Sequence, residues 1–269
     1  MTAGESGATA GENGAVAVAE QLVLTDHDGL VTTITLNRLR QRNAMNRAAR
    51  IALVGALDEA RERGSSVIVL TAPPPAFCAG LDLKEGAAEA DQAGPADLAS
   101  RRADWRNVQD EIRRHPAVVI VAVTGYALGG GLTLVNSADL AFAAEDVELG
   151  MPEVTFGAYP GMAGPSTQLR AAPKHAAWLV LTGQRISGRT AQEWGLVNQA
   201  LPADQVLPAA LATARAIAGY DPITLEYCKK ALQEIPAHIS DFTAAMEFGE
   251  HINGQIRIRK RARDTVPTS

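Results

Sequence analysis

The amino-acid sequence predicts an α/β fold that gives way to a helical C-terminal region. Three observations predict it. Strand-like and helix-like segments alternate up to about residue 174. Two strand segments, Val67-Ile68-Val69-Leu70 and Val118 to Val123, are unbroken apolar runs rich in β-branched residues, the pattern of strands buried on both faces. Beyond residue 174 the signals are mostly helical. Strands alternating with helices imply a core built on right-handed crossovers.

Residues 1–18 are mostly Gly, Ala, Glu and Ser without periodicity and read as a disordered leader. Leu22-Val23-Leu24 and Val31 to Leu36 read as strands around the turn signal Asp28-Gly29. From Asn46 to Arg61, Ile51, Leu53, Val54 and Leu57 suggest a helix packed along one face. The strand at 67–70 ends at Pro73-Pro74-Pro75, which opens a loop. A second cycle follows: a helix over Asp97–Arg114 stopped by Pro116, the strand Val118–Val123, a glycine turn into Leu132–Ser137, and a short strand Leu140–Phe142. Helices are then expected over Lys174–Leu181, Thr190–Trp194, Gln205–Gly219, Ile223–Gln233 and Asp241–Arg259, punctuated by Pro202, Pro222 and Pro236. The division expected is a leader over 1–18, an α/β core over 19–200 and a helical lid or assembly region over 201–269.

With 269 residues, 46% of them hydrophobic, the chain has ample apolar material for a large core. Its 25 basic and 30 acidic residues leave a formal charge of −5, which argues against a nucleic-acid or anionic-membrane binder. Cys78 and Cys228 are too few for a disulfide framework or a Cys-rich zinc site. His175, His238 and His251 lack metal-ligand spacing to acidic or Cys partners, so no metal is expected. The longest purely apolar run, Ala117 to Val123, falls far short of the roughly 20 residues of a membrane helix. The first residues show no basic segment or apolar stretch of a secretory signal, and a cytoplasmic protein is expected.

Two loops carry the chemistry. The first, Ala76 to Leu83, follows a buried strand, and its small Ala79 and Gly80 let a ligand approach backbone amides. The second, Gly125-Tyr126-Ala127-Leu128-Gly129-Gly130-Gly131, also follows a buried strand. A helix starting at Gly129 or Gly130 would point free amides and a positive dipole end into the mouth. Two such amides converging on one point stabilise a developing oxyanion. Read singly, each loop is equally a glycine connection needed for close packing. Other motifs fail: no Lys-Ser/Thr follows the glycines as in a P-loop, their spacing is not that of a dinucleotide fingerprint, and no Gly-x-Ser-x-Gly elbow occurs.

The segment Phe77-Cys78-Ala79-Gly80-Leu81-Asp82-Leu83, the glycine loop, and Met151-Pro152-Glu153 with Pro160-Gly161 resemble the crotonase (enoyl-CoA hydratase/isomerase) superfamily. Leu36-Asn37-Arg38, Arg42-Asn43-Ala44-Met45, Leu181-Thr182-Gly183-Gln184 and Gly195-Leu196-Val197-Asn198 extend the likeness over residues 20–235. The resemblance implies a spiral of ββα repeats with a helical C-terminal region, assembled as a homotrimer or homohexamer. It implies an acyl-CoA substrate, with coenzyme A as part of the substrate rather than a separate cofactor. The thioester carbonyl would be polarised by the N–H groups of Leu81 and Gly130. Arg42, Asn43, Ala44, Ala79, Asp82, Leu83 and Lys84 would line the CoA channel, with Tyr126, Gly129, Tyr159 and Pro160 beside the substrate.

Family hydratases use two glutamates. Here the Pro-Glu step supplies Glu153, while the position two after the glycine triplet holds Thr133. A neutral hydroxyl is a poor base but can hydrogen-bond a water or a substrate hydroxyl. Glu153 alone can remove a proton next to a thioester and return it elsewhere, which shifts a double bond. Isomerisation is therefore the leading expectation. Hydration or lyase action with Thr133 placing a water, and a CoA-thioester-binding protein without turnover, stay open. Tyr126, Tyr159 and Tyr227 are candidate partners for Glu153. His115, before a proline at a helix end, reads as a structural cation, Cys78 as packing, and Asp82 as a helix cap. The basic run from Arg257 to Arg263 reads as a solvated helix end.

Overall fold

The computed structural model describes residues 21–85 and 95–265, except the side chains of 95–104. The leader expected over 1–18 lies outside them. Strands β1 (Val23–Asp28) and β2 (Val31–Leu36) form a hairpin. Helix α1 (Arg47–Glu62) then leads to β3 (Val67–Thr71), β4 (Ala76–Cys78) and α2 (Pro95–Arg114). A second turn comprises β5 (Val118–Val123), β6 (Tyr126–Leu128) and α3 (Gly130–Ser137). A third has β7 (Leu140–Ala144), β8 (Glu148–Gly150) and α4 (Ala163–Gln168). The remainder is α5 (Pro173–Thr182), β9 (Arg185–Ser187), α6 (Gly188–Glu193), β10 (Gln199–Leu201), α7 (Ala203–Ala218), α8 (Pro222–His238) and α9 (Phe242–Asp264).

Each turn gives one strand to each of two sheets and then a helix. The larger sheet runs β1-β2-β3-β5-β7-β10 and the smaller β4-β6-β8-β9. All pairs are parallel except β1–β2 and β8–β9. This is the α/β spiral of ββα repeats that the resemblance implies.

The apolar runs split as a pleated strand must, alternate residues going to opposite faces. Ile68, Leu70, Val119 and Val121 join a core with Leu53 and Leu57 of α1 and Val108 and Ile112 of α2. Val67, Val69 and Ile120 face the other way, against Val206, Ala210 and Ala214 of α7. The boundary drawn at 200/201 therefore marks no structural break: β10 spans it and α7 covers the sheet.

Several expectations need correction. Of the four three-residue strands of the smaller sheet, β4 and β6 fall in segments expected to be loops and β8 and β9 were not anticipated, because so short a strand has no period to detect. Pro236 does not end its helix; it lies in the last turn of α8. His115 is not a helix-end cation. It is buried, its Nε2 pairs with Leu57 O at 3.0 Å and its Nδ1 accepts Ala117 N–H. Burial lowers its pKa to about 4 against the opposing pull of the Leu57 carbonyl, so the ring is neutral at pH 7. Among the described residues no helix is long and apolar enough to cross a membrane.

Candidate active site

The smaller sheet positions the site. Strands β4, β6 and β8 lie side by side and parallel. Their C-terminal ends open into Ala79-Gly80-Leu81, Gly129-Gly130 and Met151-Pro152-Glu153 respectively. Three segments far apart in sequence thus meet at one sheet edge, where parallel sheets place ligands.

The Leu81 amide is set free by local pairing. A parallel bridge joins Met45 and Leu81. In it Met45 N–H donates to Gly80 O (2.8 Å) and Asp82 N–H donates to Met45 O (3.2 Å). The intervening Leu81 N–H faces away from the bridge, without an acceptor among the described residues. Gly130 N–H, first in α3, has no intrahelical acceptor either. The two loops abut: a Cβ built on Gly80 would lie 3.3 Å from Gly130 N.

Glu153 stands in the 3-10 turn Pro152–Phe156 immediately after β8. Its Oε1 would come within 2.7 Å of a Cβ on Gly129, whose φ of +51° also favours glycine. Glycine at 129 is what lets the carboxylate sit over the turn. Its Oε2 is buried with no hydrogen-bond partner among the described residues. Burial raises the Glu153 carboxyl above its ordinary range, only partly offset by its own backbone N–H. A carboxylate that must be ionised to accept a proton then works over a shifted range. The acidic limb of kcat/KM is expected above the normal carboxylate region, rising with pH as Glu153 ionises. A rate profile falling to half only near pH 4 would contradict this.

Thr133 is fully buried on α3. Its hydroxyl donates to Gly129 O at 3.3 Å, the carbonyl that also accepts Thr133 N–H at 3.1 Å. The hydroxyl expected to place a water is turned back along its own helix.

Of the expected channel residues, Arg42, Ala44, Ala79, Leu81, Asp82, Leu83 and Lys84 line a cavity of about 930 Å³. Asn43 does not, because its side chain is buried structure. Its Oδ1 accepts Arg38 N–H (2.8 Å) and its Nδ2 donates to Ala76 O (2.9 Å). Asp82 Oδ1 accepts the amides of Lys84 and Glu85, as a cap does, and its Oδ2 accepts from Arg38 Nη1 at 2.6 Å. Burial opposes ionisation of Asp82, but Arg38 and those amides hold its carboxyl below the usual range.

Gly129, Tyr126, Tyr159 and Pro160 lie outside the cavity lining. Tyr159 is exposed, its hydroxyl accepting from Gln168 Nε2 at 3.1 Å. Neither it, Tyr126 nor Tyr227 hydrogen-bonds Oε2 of Glu153. Cys78 is buried and burial pushes its thiol up to about 12, as a packing residue rather than a nucleophile. Arg38, quoted in the sequence only for its family likeness, and Arg40, not singled out there, join Arg42 and Lys84 in a basic wall of the cavity. Their signal was present as arginines at 38, 40 and 42. Among the described residues no group of three or more His, Cys, Asp or Glu is placed to hold a metal ion.

Two unpaired amides on abutting loops, a carboxylate over Gly129 and a basic cavity wall make up a site of the kind that can polarise a carbonyl and move a neighbouring proton. A sequence profile of the enoyl-CoA hydratase/isomerase family matches residues 26–249. The chain is 37% identical over 207 residues to 2,3-dehydroadipyl-CoA hydratase of Escherichia coli, covering 76% of this chain and 78% of that protein. It is 34% identical over 219 residues to a probable enoyl-CoA hydratase of Mycobacterium tuberculosis, covering 79% and 81%. The crystal structure of enoyl-CoA hydratase from Bacillus anthracis superposes with a TM-score of 0.78 at 31% identity, covering 87% and 90% of the two chains. That from Mycobacterium smegmatis gives 0.80 at 28%, covering 93% of each. The chain belongs to the enoyl-CoA hydratase/isomerase family and is an acyl-CoA enzyme.

Proposed function

We propose that the enzyme shifts the double bond of an enoyl-CoA, with Glu153 as its single acid/base. The observation that carries this reading is Glu153 itself, its Oε2 unpartnered beside the glycine turn, while the second-carboxylate position holds a hydroxyl engaged with Gly129 O. The basic wall suits the phosphates of coenzyme A. The thioester oxygen accepts from Leu81 N–H and Gly130 N–H, which stabilise the enolate. Glu153 removes the proton from C2 of a 3-enoyl thioester and returns it to C4.

A second reading is hydration or dehydration at the same site, favoured by the relatives' names. An acyl-CoA panel incubated in D2O and in oxygen-18 water, read by mass spectrometry, separates the two. Deuterium without added oxygen supports isomerisation, and incorporated heavy oxygen supports hydration. Loss of an acyl fragment means lyase action, and no change on any thioester means a binder without turnover. We also propose a homotrimer or homohexamer, supported by the exposed Leu232, Phe242 and Met246 on α8 and α9. Light scattering that gives a monomer at working concentration would sink that proposal.

A further inference from the structure

Arg47, Arg50, Ile51 and Val54 fall three and four residues apart on α1 and so share one face of that helix. With Asn107 of α2 they line a second cavity, of about 130 Å³. Arg50 is only 7% exposed, and its Nη1 donates to Met45 O at 3.2 Å. Its Nε is enclosed without a partner. Its Nη2 is not enclosed in that way and makes no hydrogen bond among the described residues. A buried guanidinium ordinarily lies against a carboxylate, because five donors and a full charge are costly to take from water unpaired. Lys229, the other buried side chain with a permanent positive charge among the described residues, has Asp139 at 2.8 Å. Arg50 has no such acid among the described residues, and none lines its cavity.

We propose that this cavity is a carboxylate site, in which the Arg50 guanidinium holds a carboxylate borne on a short aliphatic stem. A guanidinium donates charge-assisted hydrogen bonds whose planar geometry suits a carboxylate. Ile51 and Val54 give the stem an apolar wall, and the Asn107 amide is an uncharged donor on the α2 side. The cavity is too small for a nucleotide, and its apolar wall suits a hydrocarbon better than the oxygens of inorganic phosphate. Met45 O, which takes Arg50 Nη1, also takes Asp82 N–H, and Met45 is the bridge partner of Leu81. The cavity therefore backs onto the strand pair that frees the Leu81 amide. Two sources of the carboxylate follow: the far end of an acyl group held at that amide, or a free short-chain acid. Only the first rests on the acyl-CoA reading.

The test measures binding to the full chain by calorimetry at constant ionic strength, in wild type, Arg50→Met and Ile51→Trp. Butyrate represents the free acids, with butyramide as its uncharged match and inorganic phosphate as a second anion. Dicarboxylic thioesters from glutaryl-CoA to suberyl-CoA represent the acyl ends, each against the monocarboxylic thioester of the same length. Wild type is expected to prefer the carboxylate by about 10-fold or more in one of the two series, and Arg50→Met to lose that preference. A preference for butyrate identifies a free acid, and a preference among the thioesters identifies the acyl end. If Arg50→Met fails to fold, Ile51→Trp, at a position 62% exposed, fills the cavity and should abolish the same preference. No preference in either series overturns the site. So does one that survives Arg50→Met, or Ile51→Trp where Arg50→Met does not fold. Measurable phosphate binding as tight as that of butyrate also overturns it, reducing the site to a general anion contact. If no thioester binds at all, the acyl-CoA reading fails, and butyrate against butyramide still decides the carboxylate site.

Discussion

Glu153→Gln is expected to slow exchange of the substrate's α-proton by about 100- to 10,000-fold, the span a positioned acid/base supplies. The amide keeps the size and shape of the carboxylate over Gly129 but cannot accept a proton. Thioester affinity should stay within a few-fold, because the cavity wall that suits the CoA portion does not include Glu153. The loss should therefore fall on kcat and not on KM. Stability should move the other way. A carboxyl whose pKa is raised on folding contributes stability that is complete below its unfolded pKa and is lost as pH rises through the folded value. Above the folded value the wild type has lost that contribution, and the glutamine variant has no charge to desolvate. Thermal unfolding should show the variant no less stable than wild type at pH 7. Deuterium exchange measured on a bound thioester checks the first claim. Retention of most of the exchange rate would remove Glu153 from the mechanism.

The sequence shows the large sheet well and the small one poorly, for one physical reason. The runs at 67–70 and 118–123 are long and apolar because both faces of those strands are covered. Strands β4, β6 and β8 have three residues each, and they become strands only through one another. Yet these place Leu81, Gly130 and Glu153 at one edge. Those residues were legible through family likeness, while the sheet edge they share was not. Thr133 was legible as a departure from the two-glutamate pattern, but not the turning of its hydroxyl onto Gly129 O. Lys229 gave no signal, because its partners Ile112, Ala117 and Asp139 come from a distant part of the chain.

Lys229→Met is expected to cost about 3–5 kcal/mol of stability, the range for breaking a buried ion pair from one side. Lys229 lies on α8, 5% exposed, and its Nζ stands 2.8 Å from Asp139 Oδ2. The same ammonium donates to Ile112 O and Ala117 O, each at 3.0 Å. Those carbonyls flank the link between α2 and β5, so one side chain ties the C-terminal helices to the core. Burial works against both charges, raising the Asp139 carboxyl and lowering the Lys229 ammonium, while each charge holds the other ionised. Methionine keeps the length and apolar stem but leaves Asp139 without its cation and two carbonyls without their donor. Asp139 still accepts Val119 N–H at 2.8 Å, so its carboxylate cannot swing away without giving up a second bond. A loss of this size should lower the melting temperature by about 10 °C. Lys229→Met with Asp139→Asn should recover part of it, because the orphaned charge is then gone while the asparagine oxygen can still take the Val119 amide. Calorimetric unfolding of wild type, the single variant and the pair decides the matter. A single variant within about 1 kcal/mol of wild type would show that the pair is matched by its own desolvation and that the tie lies elsewhere.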